Sequence, residues 1–235
     1  MDNLPGQRQR SASDFAVAFD MDGLLVDTEP VWWRAEREVA ESLGGRWTDA
    51  DSVNCVGGPM EKVADIIIAS AGQGERERII DDVIARVAEL LRDFPAQWLP
   101  GARELLSELS DLAVPVALVS ASPRKVMSAV LDALGTDAQR FSFTVSADDV
   151  PETKPHPAPY LLAAAQFGVA PEHLVVFEDS PTGIHSAVAS GAVVFAVPHT
   201  GHAQMPAGVR VLRSLTEASY EVIEAAVRHP DVIAP

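Results

Sequence analysis

The chain is short of cysteine, of lysine and of long apolar runs, and each shortage excludes a class of reading. Its one cysteine, Cys55, cannot form an intramolecular disulfide and fits a reducing, cytoplasmic compartment. No histidine lies near it in sequence, so it reads as a small, partly buried apolar residue rather than a nucleophile. Lys and Arg number 18 against 34 acidic residues, a net charge of −16, which leaves no basic face for nucleic acid. No uninterrupted apolar run of about 18 residues occurs, so nothing reads as membrane-spanning. The segment 1–14 is polar and lacks an apolar h-region, and reads as a disordered tail rather than a signal peptide. What remains is an ordinary globular composition, 47% hydrophobic and 22% charged. At 235 residues the chain can hold a full core and a smaller second domain. Without heptads, a monomer is the default expectation.

Short apolar runs recur at 16–19, 114–119, 141–145, 174–177, 193–197 and 209–212. Helical patterns separate most of them, which predicts βα units and an α/β, Rossmann-like, doubly wound and mostly parallel sheet. One interval breaks the rhythm. After Pro30, a candidate first helical position, Val31, Ala35, Val39 and Leu43 follow at helical spacing until Gly44-Gly45. Further apolar stripes run from Met60 to Ala71 and from Ile79 to Leu91. The expected division is a catalytic core at 15–28 and 99–235 and an inserted α-helical cap domain at 29–98. An insertion beside the sheet edge can close over a substrate and exclude water.

The chemistry-bearing residues fall at the strand ends. Asp20 and Asp22 follow the first run, and alternate residues of an extended chain share a face. Two such carboxylates repel unless a cation or proton sits between them, a geometry that suits a nucleophile with an acid/base partner. Asp22-Gly23 alone also reads as a turn. Ser120 ends the second run, and Ala121-Ser122-Pro123-Arg124 follows, with Ser122 a candidate N-cap and Pro123 a candidate N1. Such a helix start can seat phosphate, and can equally be simple capping. Lys154 lies in the loop Lys154-Pro155-His156-Pro157, and Glu178-Asp179-Ser180-Pro181 follows the fourth run. Converging carboxylates cost about 4 kcal/mol per like pair at about 4 Å and an effective dielectric of about 20. Four of them against Lys154 call for a divalent cation, and oxygen ligands favour Mg²⁺, which often shares its shell with phosphate.

With Asp20-Met21-Asp22-Gly23, Ser120, Lys154 and Glu178-Asp179 in that order, the chain resembles the haloacid dehalogenase superfamily from Phe15 onward. Val119-Ser120-Ala121-Ser122 and Lys154-Pro155-His156-Pro157 resemble its beta-phosphoglucomutase-like branch. The segment from Phe19 to Pro30 is most similar to bacterial 2-deoxyglucose-6-phosphate and hexitol phosphate phosphatases. The resemblance implies that Asp20 attacks phosphorus and forms an aspartyl-phosphate, and that Asp22 is the acid and then the base. It implies Mg²⁺ held by Asp20, the Asp22 carbonyl and Asp179, with Glu178 adjacent or acting through water. It also implies that Ser120 and Lys154 bind the phosphoryl oxygens. The substrate is then a small phosphorylated metabolite, a sugar or sugar-alcohol phosphate.

Family members that act on carbon–halogen or carbon–phosphorus bonds lack an acid at the place of Asp22, so Asp22 favours phosphate ester chemistry. The phosphosugar mutases of the branch carry a His at the place of Trp32 and an Arg in the cap loop, where Met60 aligns here. An apolar pair cannot anchor a second phosphate dianion, which favours a phosphatase over a mutase. A catalytically idle phosphate-binding protein on the same scaffold is the reading from another class. Candidate substrate contacts are Glu29, for sugar hydroxyls, Trp32, as an apolar platform or as cap core, and Gly57, in a specificity loop or a helix connection. Ala121, Ser122 and Arg124 complete the set at the helix start. His199 and His202 read as loop histidines rather than a second metal site.

Overall fold

The computed structural model describes residues 14–56, 58–93, 97–198 and 205–229. The expected tail up to Ser13, Gly57, and His199 and His202 lie outside them. Among the described residues, the six apolar runs each contain a strand: β1 Ala16–Phe19, β2 Val116–Val119, β3 Phe143–Val145, β4 Leu174–Glu178, β5 Val193–Ala196 and β6 Arg210–Val211. They form one sheet in the order β3-β2-β1-β4-β5-β6, and every pairing is parallel. β1 is flanked by β2 and β4, with Val17 opposite both Val116 and Val175. The chain therefore winds outward to β3 on one side, then returns to β4 on the other. Such a reversal opens a crevice at the carboxyl ends of the two central strands, where α/β sheets bind ligands.

Both faces of the sheet are covered, which is why its strands read as unbroken apolar runs rather than alternating ones. Val17 and Phe19 point into a core with α5 Ala102–Asp111, α6 Arg124–Leu134 and α9 Tyr220–Arg228. Ala16 and Ala18 point to the opposite core, with α7 Ala158–Phe167 and α8 Pro181–Ser190. Phe19, Phe177 and Phe195 stack across β1, β4 and β5 at centroid separations of 5.1 and 4.9 Å, bracing the central strands that carry the site.

Among the described residues, four helices run between β1 and α5: α1 Glu29–Ser42, α2 Asp49–Cys55, α3 Met60–Ala71 and α4 Arg76–Asp93. The first, third and fourth follow the predicted stripes. α2 has no apolar stripe to mark it in the sequence; its start is fixed by a reciprocal capping box, Thr48 accepting from the Asp51 N–H and Asp51 accepting from the Thr48 N–H. The two connections to this layer hold each other: the Asp27 N–H donates to Gln97 O at 3.0 Å and the Leu99 N–H to Leu25 O at 2.9 Å. α4 packs on α1 and α3 and also on α6 of the sheet layer. The apolar cluster is accordingly continuous from Val63 and Val83 to Leu105 and Met127.

Candidate active site

Immediately after β1 the chain turns sharply. The Gly23 N–H donates to Val26 O at 2.9 Å, and the Leu25 and Val26 N–H groups both return to Met21 O. Gly23 has φ +80°, a conformation that a Cβ would strain. This turn aims Asp20 and Asp22 over the sheet edge. Asp22 is gripped by three hydroxyls: Oδ1 accepts from Thr28 Oγ1 at 2.5 Å, and Oδ2 from Ser120 Oγ at 3.1 Å and Ser122 Oγ at 2.8 Å.

Ser122 was expected to cap α6, but the structure assigns that place to Pro123, which has no capping side chain. The Ser122 hydroxyl is committed to Asp22 instead, while its N–H donates to Ser120 Oγ at 2.9 Å. At the α6 N-terminus the Arg124 N–H is taken by Asp148 Oδ2 at 2.8 Å. The Arg124 guanidinium turns toward β3, pairing with Asp149 and donating to Thr144 Oγ1 at 2.6 Å. It is therefore placed away from Asp20 and Asp22.

Lys154 is buried at the centre of the site. Its Nζ donates to Asp20 Oδ1 at 2.5 Å, Glu178 Oε1 at 2.6 Å and Val119 O at 2.9 Å. Burial disfavours its charge, but the two carboxylates outweigh that and hold its pKa well above the usual ammonium range. Glu178 is fully buried and its oxygens are occupied. Oε1 also accepts from Tyr160 OH at 2.8 Å, and Oε2 takes the Asp179 and Ser180 N–H groups and the Ser180 hydroxyl. α8 presses so close that a Cβ on Gly183 would lie 1.7 Å from Glu178 Oε1. Neither Tyr160 nor Gly183 is among the candidate residues, and Thr28, inside the Phe19–Pro30 segment, has no role of its own in the sequence pattern.

Asp20, Glu178 and Asp179 each bring a carboxylate oxygen within 4.8 Å of the others. Burial raises the pKa of Asp20 well above its usual value, and the carboxylates of Glu178, Asp179 and Asp22 add to the rise against Lys154. Burial and Glu178 raise Asp179 to about 7, and its Oδ1 is buried with no hydrogen-bond partner. One ammonium does not compensate this cluster. An all-oxygen set with an orphaned buried acceptor fits a hard divalent cation such as Mg²⁺. Because Glu178 is already saturated with donors, Asp20 and Asp179 are the side chains free to hold it directly.

A cavity of about 250 Å³ lies over this floor and is roofed by the inserted helices. Asp20, Asp22, Ser120, Ala121, Ser122, Lys154 and Asp179 line it from the sheet, and Glu29, Trp32, Trp33, Glu36, Cys55 and Met60 from the helical layer. Trp32 and Trp33 are half-buried and Glu29 is exposed. Lys154 is the one cation among the described lining residues.

Residues 17–197 match the family model of haloacid dehalogenase-like hydrolases. Hexitol phosphatase B of Escherichia coli K12 is 35% identical over 186 residues, covering 78% of this chain and 83% of that protein. A phosphorylated carbohydrates phosphatase of Thermotoga maritima is 32% identical over 206 residues, covering 84% and 93%. The crystal structure of a beta-phosphoglucomutase from Clostridium difficile superposes with a TM-score of 0.74 at 23% identity, covering 91% of this chain and 97% of that one. At that identity the likeness speaks for the fold.

Proposed function

This chain belongs to the haloacid dehalogenase-like hydrolase family, and from that footing we propose that it is a Mg²⁺-dependent phosphatase of sugar or sugar-alcohol phosphates. Asp20 is the proposed nucleophile. The observation that carries the reading is the Asp20–Lys154–Glu178–Asp179 cluster, a dense set of buried and half-buried carboxylates around one ammonium at the floor of the cavity. The names of the two sequence relatives support the substrate class.

In this reading an Asp20 carboxylate oxygen attacks phosphorus while Lys154, already at hydrogen-bond distance, holds the other charges of the site in balance. As the P–O bond to the alcohol breaks, Asp22 gives the leaving oxygen a proton. Asp22 then takes a proton from water, whose oxygen attacks the aspartyl-phosphate, releasing inorganic phosphate and restoring Asp20. The Thr28 and Ser122 hydroxyls hold the Asp22 carboxyl in place, and the Ser120 hydroxyl, which donates to it in the absence of substrate, turns to the phosphoryl group when substrate binds. Ser120 and Lys154 are the phosphoryl contacts. Asp20, Asp179 and the Asp22 carbonyl would hold Mg²⁺, with Glu178 behind them. When bound, the ion supplies charge neutralisation and polarises a phosphoryl oxygen. Phosphate monoesters require on the order of 20 kcal/mol or more of barrier lowering, which calls for positioning and electrostatics together.

Hydrolysis is favoured over phosphoryl transfer to a second sugar position. A mutase must grip a second phosphate on the roof of the cavity. That roof presents Glu29, Glu36, Trp32 and Met60 and no cation among the described residues, so a second dianion would meet carboxylates. The test is phosphate release from a panel of sugar and sugar-alcohol phosphates with and without Mg²⁺. Ion-dependent release is expected. Isomerisation of β-glucose 1-phosphate to glucose 6-phosphate without phosphate release would overturn the assignment.

A further inference from the structure

The roof of the cavity carries a buried acid that the steps at Asp20 and Asp22 do not use. Glu36 lies one helical turn beyond Trp32 on α1, so both side chains sit on the same helix face. It is only 5% exposed, yet it borders the cavity and its Oε2 has no hydrogen-bond partner. The Ser52 hydroxyl lies beside the same carboxyl and is held from behind by the Trp47 indole N–H, which donates to Ser52 Oγ at 2.7 Å. The carboxyl thus has Ser52 beside it, while Oε2 lies buried in the cavity wall without a donor. Leaving a buried carboxylate oxygen unsatisfied is costly, and no cation lines this side among the described residues to offset it.

We propose that Glu36 is a specificity-determining residue whose free carboxylate oxygen accepts hydrogen bonds from hydroxyl groups on the part of the leaving alcohol farthest from phosphorus. This rests on the phosphatase reading above, because the phosphoryl end must face Asp20 for the alcohol to face the roof. Polyhydroxylated leaving groups supply the missing donors, while Trp32, one turn away, offers its ring to the carbon skeleton between them. Alcohols without distal hydroxyls leave Oε2 as it is and gain nothing. The substrate class selected is therefore a phosphate ester of a polyol or sugar several carbons long, rather than a short or aromatic ester.

The test separates recognition from turnover by using Asp20→Asn protein with Mg²⁺ and calorimetric binding of glucitol 6-phosphate and of inorganic phosphate. Adding Glu36→Met should lower the ratio of the two affinities by about 10-fold or more, the worth of a hydrogen bond to a charged group. Glu36→Gln, which keeps the shape and one acceptor, should give a smaller drop. A ratio unchanged within about threefold overturns the proposal, whether both affinities hold or both fall together, since a purely structural role moves them equally. Tighter, Glu36-dependent binding of glucosamine 6-phosphate than of glucose 6-phosphate would also overturn it, assigning Oε2 to an ammonium. A wild-type protein that releases phosphate from no ester would sink the phosphatase reading, while the affinity ratio would still decide the role of Glu36.

Discussion

Lys154 Nζ and Asp20 Oδ1 lie 2.5 Å apart in a site shielded from solvent. The same ammonium is 2.6 Å from Glu178. Removing it leaves buried carboxylates with no counter-charge, and breaking a buried pair from one side costs about 3–5 kcal/mol. Lys154→Met should lose stability of that order by urea denaturation without added metal. It should also reduce kcat by about 10³-fold, as loss of a preorganised charge does.

Mg²⁺ should stabilise the folded protein, and through Asp179. At 100 times its dissociation constant a ligand adds about 2.7 kcal/mol, or about 5–10 °C in Tm for a chain of this size. Asp179→Asn should abolish most of that shift. Asp179 must lose its proton to hold the ion, and burial with Glu178 raises its pKa to about 7. The affinity for Mg²⁺ should therefore rise as pH climbs through about 7, measured by titration calorimetry.

Glu36 should cost the protein stability at alkaline pH. Burial raises its pKa from 4.5 to about 7 in the folded state. Between those values the unfolded chain ionises while the folded one keeps its proton, so stability falls as pH rises and the full cost stands above about 7. At about 1.4 kcal/mol per tenfold this is on the order of 3 kcal/mol. Glu36→Gln should be the more stable protein at pH 8, with that advantage gone near pH 4.5. Equal pH dependence for the two proteins would contradict the assignment.

Gly183→Ala should damage the site although residue 183 bears no functional group. The new Cβ would overlap Glu178 Oε1, forcing Glu178 and, with it, Lys154 to shift. An overpacked core costs about 1–3 kcal/mol, and a displacement of about 1 Å at the chemistry costs on the order of 10² in rate. Denaturation and phosphate release measured on one preparation check both.

The sheet was legible because its strands are buried on both faces, so runs such as Ala16–Phe19 and Leu174–Phe177 stand out against amphipathic helices. Asp20, Lys154 and Glu178-Asp179 were legible because each lies just past an apolar run or beside a proline-marked helix start. α2 was not, since Asp49–Cys55 is held by its cap and its neighbours rather than by an apolar stripe. Ser122 looked like a helix cap because Ser-Pro commonly is one, and the pull of Asp22 on its hydroxyl is a tertiary effect. Arg124 followed the same logic and is drawn to Asp149 from another loop. Tyr160 reads as plain core, and only the folded chain shows its hydroxyl on Glu178. Glu36 sits among Arg34, Arg37 and Glu38 as an ordinary helix acid, and only the folded chain shows it buried in the cavity wall.

Covalent capture of the reaction tests the central claim most directly. Protein mixed with glucitol 6-phosphate and Mg²⁺, acid-quenched within milliseconds and reduced with borohydride, should yield a peptide bearing homoserine at position 20, the product of a reduced aspartyl-phosphate. Asp20→Asn protein should give no such peptide and release no phosphate. Phosphate release with position 20 unmodified throughout, or release that survives Asp20→Asn, would contradict the account.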